Sequence, residues 1–383
     1  MRSDVMKIMH LSDLHLGKRV NDFSMIDDQK YILKQISTIV MEENIDVVML
    51  CGDIYDKSIP SVEAIALFDD FLCELHQLHT TVLIISGNHD SPQRLAFGSR
   101  FFQSSQIYVS SQFEGSMEQV TWKEDWGEVV FYLLPFVKPV YVNHLLDVQT
   151  NSYEECMKYL LSQTKMDLAK TNILLAHQFV SVNQKGPECS DSETASLGGI
   201  EQMDYHLFDA FDYVALGHIH KPQAMGREMV RYCGSLLKYS FSEANRSKSV
   251  PILEIQGPKQ IKLSFQELRP LHDMREITCS MEALLKRQVE LGNVQDYMHV
   301  ILTDEEEIID AIGKVRTIFP NVMQITLQNR RYAMQQQTNI DEEELLQQTP
   351  LALFAQFYER QNNINLSDAQ WKELEKLFQE VEQ

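Results

Sequence analysis

Short apolar runs alternate with segments of helical spacing over the first two-thirds of the chain. The runs are rich in Val, Ile and Leu without polar alternation, which is typical of strands buried on both faces. They are Met6–Leu11, Val47–Cys51, Val82–Ile85, Val129–Leu134, Ile173–Ala176 and Tyr213–Leu216. Between the first three runs, apolar residues recur at helical spacing over 32–40 and 65–75. This alternation predicts an α/β fold in which helices cover the sheet.

The pattern changes after Leu268 and predicts a second, smaller α+β domain. Strand patterns at Glu276–Ser280, Tyr297–Leu302 and Val322–Leu327 are separated by helical patterns at Met281–Glu290 and Glu305–Phe319. A polar stretch at 335–339 then predicts a linker. Two amphipathic helices are predicted after it, at Thr349–Arg360 and Ser367–Val381, the second opened by a Ser367–Gln370 capping box. We therefore expect three parts: 1–268, 269–332 and a helical pair within 333–383.

Composition is that of a soluble globular protein, with 44% hydrophobic and 23% charged residues among 383. No apolar run approaches the ~20 residues needed to cross a bilayer. Asp4 and Lys7 interrupt the layout of a secretory signal. The six cysteines lie far apart and lack a C-x-x-C pair, which argues against a zinc ribbon or a disulfide framework and for buried reduced thiols. We expect a cytoplasmic protein with no membrane partner.

The net charge of −21 lowers the expectation of nucleic-acid binding, because such proteins normally carry a basic patch. Residues 341–383 contribute −7 of this, from ten acidic and three basic side chains. Carboxylates at a metal site add negative charge without excluding a polyanionic substrate, since bound cations reverse the local field. Bulk charge alone does not decide the substrate.

Polar clusters follow nearly every predicted strand, where ligand sites of open α/β sheets gather. The clusters are Ser12–His15, Gly52–Asp53, Gly87–Asp90, His177–Gln178 and Gly217–His220. If the strand ends are extended, Asp13 and His15 project to one side, as do His218 and His220. Each cluster alone is often a turn or a pair of core residues. All five in this order predict a functional site.

The side chains of these clusters suit a pair of divalent cations. The candidate ligands are Asp13, His15, Asp53, Asn88, His177, His218 and His220. Carboxylate, amide and imidazole ligands favour manganese, iron, zinc or magnesium, and the number fits two ions if Asp53 bridges them. Two ions so held promote attack on a phosphodiester. His89 lies outside this set and is predicted to be catalytic, as general acid or transition-state donor, with Asp90 fixing its orientation.

These motifs resemble the calcineurin-like metallophosphoesterase superfamily, and within it the SbcD nuclease family. The segments that carry the resemblance are Ile8–Gly17, Gly52–Asp56, Gly87–Asp90, Phe211–Gln223, Tyr232–Ser235 and Tyr239–Glu243. Cys233 stands where the family pattern usually has Pro, which removes no ligand. Asp56 stands where archaeal and eukaryotic relatives have His, so a role of that His does not transfer. The resemblance implies a sandwich with helices outside the sheets.

The resemblance also implies an activity, cofactors and partners. One metal would be held by Asp13, His15, Asp53 and His220, and the other by Asp53, Asn88, His177 and His218. Manganese is the expected metal and His89 the catalytic histidine. The expected reactions are 3′→5′ exonuclease cleavage of DNA ends and endonuclease cleavage of hairpins and single strands. The expected partners are the coiled-coil ATPase SbcC, which the C-terminal helices would contact, and a second copy of the chain; packing of these helices within the chain itself is the alternative. Residues 269–332 would be a capping domain over the DNA.

Two other function classes stay open on the sequence. The first is a small-molecule phosphodiesterase or phosphatase of the same superfamily. Purple acid phosphatases have Tyr where Asp56 stands, and protein phosphatases usually have Arg-Gly where Lys57-Ser58 stands, which disfavours both. The second is a non-catalytic scaffold, although no expected ligand is missing. Lys18 and Arg19 are interpreted either as phosphate contacts or as a solvated loop.

Overall fold

The structure is a computed structural model that describes residues 5–193, 202–306 and 308–328, with separate positions between 354 and 374. Two compact units divide the chain: Met1–Ile301 with Asp310–Thr326, and Leu302–Ile309 with Leu327–Gln383. The predicted linker and most of the predicted C-terminal helical pair lie outside the described residues. Within the described part, no helix combines the length and the apolar character needed to cross a membrane.

The strands and helices of the described part are numbered here in chain order. The strands are β1 (Met6–Leu11), β2 (Arg19–Val20), β3 (Phe23–Ser24), β4 (Val47–Cys51), β5 (Thr81–Ile85), β6 (Ile107–Ser110), β7 (Glu118–Glu124), β8 (Gly127–Leu134), β9 (Thr171–His177), β10 (Val180–Ser181), β11 (Met203–Asp204), β12 (Tyr213–Gly217), β13 (Gln223–Met225), β14 (Arg227–Tyr232), β15 (Lys248–Gly257), β16 (Gln260–Leu268), β17 (Met274–Cys279), β18 (Tyr297–Leu302) and β19 (Val322–Leu327). The helices are α1 (Ile26–Glu43), α2 (Val62–Gln77), α3 (Pro92–Leu95), α4 (Ser99–Phe102), α5 (Pro139–Leu146), α6 (Tyr153–Gln163), α7 (Met281–Leu285) and α8 (Ala311–Arg316).

Two six-stranded sheets form the centre of the first unit, with strand orders β16-β15-β1-β4-β5-β6 and β13-β14-β12-β9-β8-β7. The inner strands of each sheet run parallel. The outer strands β15, β16, β7 and β13 are antiparallel to their neighbours. All the strand runs predicted from the first two-thirds of the sequence therefore belong to these two sheets.

The two sheets pack face to face. Successive side chains of a strand point to opposite faces, so each sheet has an inner face toward the other sheet and an outer face toward the helices. One set of side chains, including Ile8, Met49 and Leu175, is fully buried between the sheets. The alternate set in the first sheet, such as Leu11 and Leu50, packs with the apolar residues of α1 and α2. The alternate set in the second sheet packs with the apolar residues of α5 and α6. The predicted sandwich with helices outside the sheets is confirmed.

A three-stranded sheet of order β17-β18-β19 carries the short helices α7 and α8. Both helices are shorter than the apolar spacing predicted. Arg287 has a φ of 53° and lies just beyond the end of α7. Asp310 has a φ of 52° and caps α8, its side chain accepting from Gly313 N at 3.2 Å. A residue with left-handed backbone conformation cannot continue an α-helix, so α7 ends before Arg287 and α8 begins after Asp310.

Two smaller predictions can also be compared with the structure. The six cysteines all lie within the described part and none is in a disulfide bond, as expected, but only four are buried, because Cys73 and Cys189 are exposed. Ser367 N donates to Gln370 Oε1 at 2.9 Å, and Gln370 N donates to Ser367 Oγ at 3.4 Å. This reciprocal pair is the predicted capping box.

Candidate metal centre

The predicted site residues lie at or just beyond the carboxyl ends of β1, β4, β5, β9 and β12, and His177 is the last residue of β9. Backbone hydrogen bonds join the loops that follow these strands. Asp13 N donates to the Gly52 carbonyl at 3.1 Å, and His15 N donates to the Asp53 carbonyl at 2.9 Å. The loops are thus tied to one another before any side chain is considered. This brings together residues that are far apart in the sequence.

The backbone at four of the candidate ligands is left-handed. The φ angles are 54° at Asp13, 45° at His15, 50° at Asp53 and 102° at His218. The expectation that Asp13 and His15 continue an extended strand is therefore wrong, and so is the same expectation for His218. Each such residue costs of the order of 1–3 kcal/mol of strain, which the surrounding contacts must offset. Strain of this kind concentrates at functional sites.

Two glycines allow the loops to approach this closely. A Cβ at Gly87 would lie 2.1 Å from Asp53 Oδ1 and 2.4 Å from Asp53 N. A Cβ at Gly217 would lie 2.0 Å from the Cys51 carbonyl oxygen and 2.7 Å from His177 Nδ1. Any side chain at either position would displace a candidate ligand. These glycines are required by space rather than by backbone conformation.

The first group of ligands surrounds the buried imidazole of His15. Its Nε2 lies 3.0 Å from Nε2 of His220 and 3.7 Å from Oδ2 of Asp53. Asp13, His15 and His220 each place a ligand atom within 4.8 Å of the others. Asp13 also accepts from His218 N at 3.1 Å, which ties the two histidine-bearing loops together. The structure thus brings together the four residues assigned to one metal.

The second group surrounds the side-chain oxygen of Asn88. Asn88 Oδ1 lies 3.0 Å from His177 Nε2 and 3.0 Å from His218 Nδ1. His177 Nε2 is also 3.4 Å from Asp53 Oδ2. The same Asp53 oxygen therefore faces both groups. This is the position expected of a bridging carboxylate.

The charges of this cluster fit bound cations. Burial would raise the pKa of Asp53, but the neighbouring His177 and His15 hold it well below its ordinary value. Burial would lower the pKa of His177, yet the Asp53 carboxylate raises it to about 9. Burial, followed by the charge of His177, lowers the pKa of His218 to about 3. The low pKa of His218 means that its imidazole is unprotonated at neutral pH. An unprotonated imidazole nitrogen is a ligand for divalent metals. The residues present fit a divalent metal centre.

His89 lies at the open side of the cluster, with 38% of its side chain exposed. Its backbone N–H donates to Asp53 Oδ1 at 2.9 Å, and its Nε2 is 4.0 Å from Asp53 Oδ2. Its Nδ1 lies 2.9 Å from the carbonyl oxygen of Asp56. That carbonyl, and not Asp90, sets the orientation of the ring. The Nε2 of this partly exposed ring is therefore on the side of Asp53.

Asp90 has a different role from the one expected. Its Oδ2 accepts from Gly87 N at 2.9 Å and Ile54 N at 3.1 Å, and its Oδ1 accepts from Tyr55 N at 3.0 Å. Burial and the Asp53 charge raise the pKa of Asp90 to about 6. The prediction that Asp90 orients the His89 ring is wrong, because its oxygens are taken up by backbone donors. Asp90 instead holds the Asp53 and Asn88 loops together.

Several residues that support the ligands were missed by the sequence reasoning. Asp56 Oδ1 lies 3.5 Å from His15 Nδ1, and Ser192 Oγ lies 2.8 Å from His220 Nδ1. Glu193 Oε1 accepts from His220 N at 2.6 Å. Partners on the second ring nitrogen fix the tautomer of a metal-binding histidine. Asp56 is visible in the motif around Asp53, whereas nothing in the sequence marks Ser192 or Glu193.

The other singled-out residues also have defined positions. Lys18 Nζ donates to Asp56 Oδ1 at 2.9 Å, so Lys18 belongs to the support of His15 rather than to a solvated loop. Arg19 is exposed. Cys233 is buried, with Sγ 3.0 Å from Ser12 Oγ, and Ser12 Oγ in turn donates to Asp13. Cys233 thus lies behind a candidate ligand without replacing one.

A family model described as calcineurin-like phosphoesterase matches residues 6–222. A second model, described as the type 5 capsule protein repressor C-terminal domain, matches residues 270–362. The D subunit of the nuclease SbcCD of Staphylococcus epidermidis is 33% identical over 378 residues, covering 97% of this chain and 98% of that protein.

Two solved structures are similar at lower levels. A Thermus thermophilus protein has a TM-score of 0.38 and 15% identity over 69% of this chain and 100% of its own. A dimetal phosphatase from Danio rerio has a TM-score of 0.40 and 11% identity over 69% of this chain and 96% of its own. The calcineurin-like match and the near full-length relative together give the family assignment. The chain belongs to the calcineurin-like phosphoesterases and, within them, to the SbcD family.

Proposed function

We propose that this chain is a metal-dependent DNA nuclease and the nuclease subunit of a complex with SbcC. Its reactions would be 3′→5′ exonuclease cleavage of double-stranded ends and endonuclease cleavage of single strands and hairpins. The observation that carries the proposal is the position of Asp53 Oδ2, which lies 3.7 Å from His15 Nε2 and 3.4 Å from His177 Nε2 and so is close to both groups of candidate ligands. The staphylococcal relative, named as the D subunit of the nuclease SbcCD, supports the choice of DNA and of the partner.

Two divalent ions, most simply Mn²⁺, would occupy the cluster. Asp13, His15, Asp53 and His220 would hold one ion, and Asp53, Asn88, His177 and His218 the other. The ions supply Lewis-acid activation of water and neutralise charge that develops on the phosphate. The chain's own contribution is to hold the ligand atoms in place. Asp56, Ser192 and the Cys51 carbonyl do so by contacting the second nitrogen of His15, His220 and His177.

His89 would donate a hydrogen bond or a proton to the phosphate in the transition state. The Asp56 carbonyl accepts only from a protonated Nδ1, so Nε2 donates when the ring is an imidazolium. The His89 side chain is 38% exposed and its Nε2 lies 4.0 Å from Asp53 Oδ2, so the ring would be within reach of a DNA strand bound at the cluster. Asp90 would act through the loops, by accepting from the backbone N–H groups of Ile54 and Gly87.

The other parts of the chain would serve the complex. Residues 269–332 would cap the DNA over the metals, and 333–383 would bind the coiled coil of SbcC. A homodimer would use exposed apolar side chains of the first unit, among which Val62, Phe97 and Phe101 are more than four-fifths exposed. We expect a cytoplasmic location and no membrane partner.

The test is cleavage of end-labelled blunt duplex, hairpin and single-stranded DNA, each with Mn²⁺ and with EDTA. We expect cleavage of all three only with Mn²⁺, and mononucleotide release from 3′ ends of the duplex. His89→Gln is the matched control for a contaminating nuclease. If none of the DNA substrates is cleaved but small phosphodiesters from a nucleotide panel are hydrolysed, the chain is a small-molecule phosphodiesterase instead. No turnover of any substrate by a metal-loaded chain would favour the scaffold.

A further inference from the structure

A cavity of about 440 Å³ opens beside the metal centre. Its walls come from the β2–β3 turn, the loop that carries Ser192, the segment 239–242 and the exposed face of the three-stranded sheet. The lining includes Asn21, Ser192, Tyr239, Phe241, His299 and Gln324. The volume exceeds that of one water molecule many times over and falls within the range of small-molecule sites.

One wall of the cavity borders the His15 and His220 side of the metal centre. Ser192 Oγ lies 2.8 Å from Nδ1 of His220, whose other nitrogen faces His15. The Tyr239 ring centroid lies 5.9 Å from that of His15 and 6.0 Å from that of His220. Only the width of an imidazole and one hydrogen bond therefore separates the cavity from the ligand atoms. In a nucleotide, a single sugar joins the phosphate to the base, so the two groups occupy neighbouring sites.

The cavity offers a fixed aromatic surface. The Phe241 ring centroid lies 5.3 Å from that of His299, with 50° between the planes. His299 is held at both nitrogens, by Glu276 Oε1 at 2.7 Å and by Thr326 Oγ1 at 2.8 Å. Phe241 is partly buried and packs against the main core. A rigid ring of this kind is a surface on which a planar group stacks without much loss of side-chain entropy.

The polar groups of the cavity suit a neutral ligand with donors and acceptors on its edge. Asn21 and Gln324 contribute amides, and Ser192 contributes a hydroxyl. Among the described residues that line the cavity there is no lysine or arginine, while Asp191 and Glu276 bring carboxylates. These carboxylates repel a phosphate but not an uncharged heterocycle. The chemistry thus favours a nucleobase over a second phosphate.

We propose that this cavity is a nucleobase subsite, which takes one unpaired base of the strand whose phosphate lies at the metal centre. The proposal rests on the proposed function for the identity of the strand. A base that enters the cavity leaves its partner and its stack, which is cheapest at frayed ends, hairpin tips and single strands. The subsite therefore selects the kinds of DNA that the chain is proposed to cleave.

The test compares two ligands that differ only by the base. Isothermal titration of the Mn²⁺-loaded full chain with dTMP and with 2-deoxyribose 5-phosphate gives the contribution of the base. We expect dTMP to bind about tenfold or more tightly, since base stacking has this scale. Phe241→Ala and Gln324→Ala should bring the ratio close to one by weakening dTMP alone. Phe265→Ala, an exposed aromatic on β16 outside the cavity, is the matched control and should keep the ratio.

Equal affinity of the unaltered chain for the two ligands would overturn the subsite, as would an unchanged ratio in both cavity variants. Gln324 is exposed, so its variant remains informative even if Phe241→Ala fails to fold. DNA cleavage is measured separately. Cleavage without base discrimination removes the subsite and leaves the nuclease proposal standing. Tighter binding of dTMP without any DNA cleavage would remove the nuclease proposal and leave a base-binding cavity.

Discussion

Asp53 performs two tasks with one carboxylate, and the rest of the centre depends on both. Its Oδ1 accepts the backbone N–H of His89 at 2.9 Å, which anchors the loop that carries Asn88 and His89. Its Oδ2 faces His177 at 3.4 Å and His15 at 3.7 Å. The first task needs only an oxygen acceptor, whereas the second needs negative charge. A substitution that keeps shape and removes charge separates the two.

Asp53→Asn should therefore keep the fold and lose metal. We expect fewer than two Mn²⁺ per chain after equilibrium dialysis. The cleavage rate should fall by at least ~100-fold, which is more than the loss of a residue that only supports a metal ligand usually causes. Metal content by mass spectrometry and single-strand cleavage are the measurements. Asp209→Asn, at an exposed carboxylate paired with His206 at 3.2 Å, is the control. Two tightly held ions with full turnover in Asp53→Asn would show that Asp53 does not bridge.

His89 is separable from metal binding in the same way. His89→Gln should leave metal content unchanged and lower the cleavage rate constant by roughly 10²–10⁴-fold, the usual range for a lost acid–base group. Single-turnover cleavage at saturating enzyme isolates the chemical step from DNA binding. An unaltered rate constant would remove His89 from the chemistry and leave it a purely structural role on the Asp56 carbonyl.

At the level of elements, strand register sets the positions of the ligands. Cys51 lies opposite Ile85 in the β4–β5 pair, and Gly217 lies opposite His177 in the β9–β12 pair. Buried parallel strands with polar residues at their ends can be predicted from a sequence, because unbroken runs of Val, Ile and Leu are typical of strands covered on both faces. This is why the elements and the ligand types were predictable.

Backbone conformation and loop contacts were not predictable in the same way. The positive φ angles of Asp13 and His15 depend on hydrogen bonds to Gly52 and Asp53, which come from another strand. The role of Asp90 depends on which backbone donors lie within its reach. Ser192 lies on an irregular loop with no periodic pattern. Features fixed by long-range contacts leave no local signal, so they emerge only when the fold is known.

Gly87, in the loop after β5, allows a test of how closely this loop must approach Asp53. Gly87→Ala would place a Cβ 2.1 Å from Asp53 Oδ1, so the loop or the carboxylate has to move. We expect a loss of roughly 1–3 kcal/mol in the free energy of unfolding, as for overpacked sites, together with weaker Mn²⁺ binding. Thermal melting with and without metal measures both effects.

Gly257→Ala is the matched control for this substitution. The nearest atoms to its added Cβ belong to the Gln260 side chain, at 3.3–3.5 Å. A flexible side chain can move aside, so we expect a change within about 0.5 kcal/mol and unaltered metal binding. Equal effects of the two substitutions would mean that the space around Gly87 has no special connection with the centre.

At the scale of the whole molecule, charge is distributed unevenly between the catalytic part and the C-terminal tail. The chain carries −21, of which −7 lies in residues 341–383. The sequence of this tail also carries an apolar stripe, Leu351, Phe354, Phe357 and Tyr358. A helix with such a stripe is suited to a groove or a coiled coil of a partner. An acidic segment, in contrast, gains nothing from approaching DNA.

Removal of residues 341–383 should therefore separate the partner from the chemistry. We expect the truncated chain to lose association with SbcC in size-exclusion chromatography and to keep Mn²⁺-dependent cleavage of single-stranded DNA. A full-length variant with Glu342, Glu343 and Glu344 changed to Gln tests whether charge alone is responsible; it should still associate, because the stripe is intact. Undiminished association of the truncated chain would place the SbcC contact elsewhere. Loss of association in the Gln variant as well would mean that acidic residues, and not apolar contact, hold the complex together.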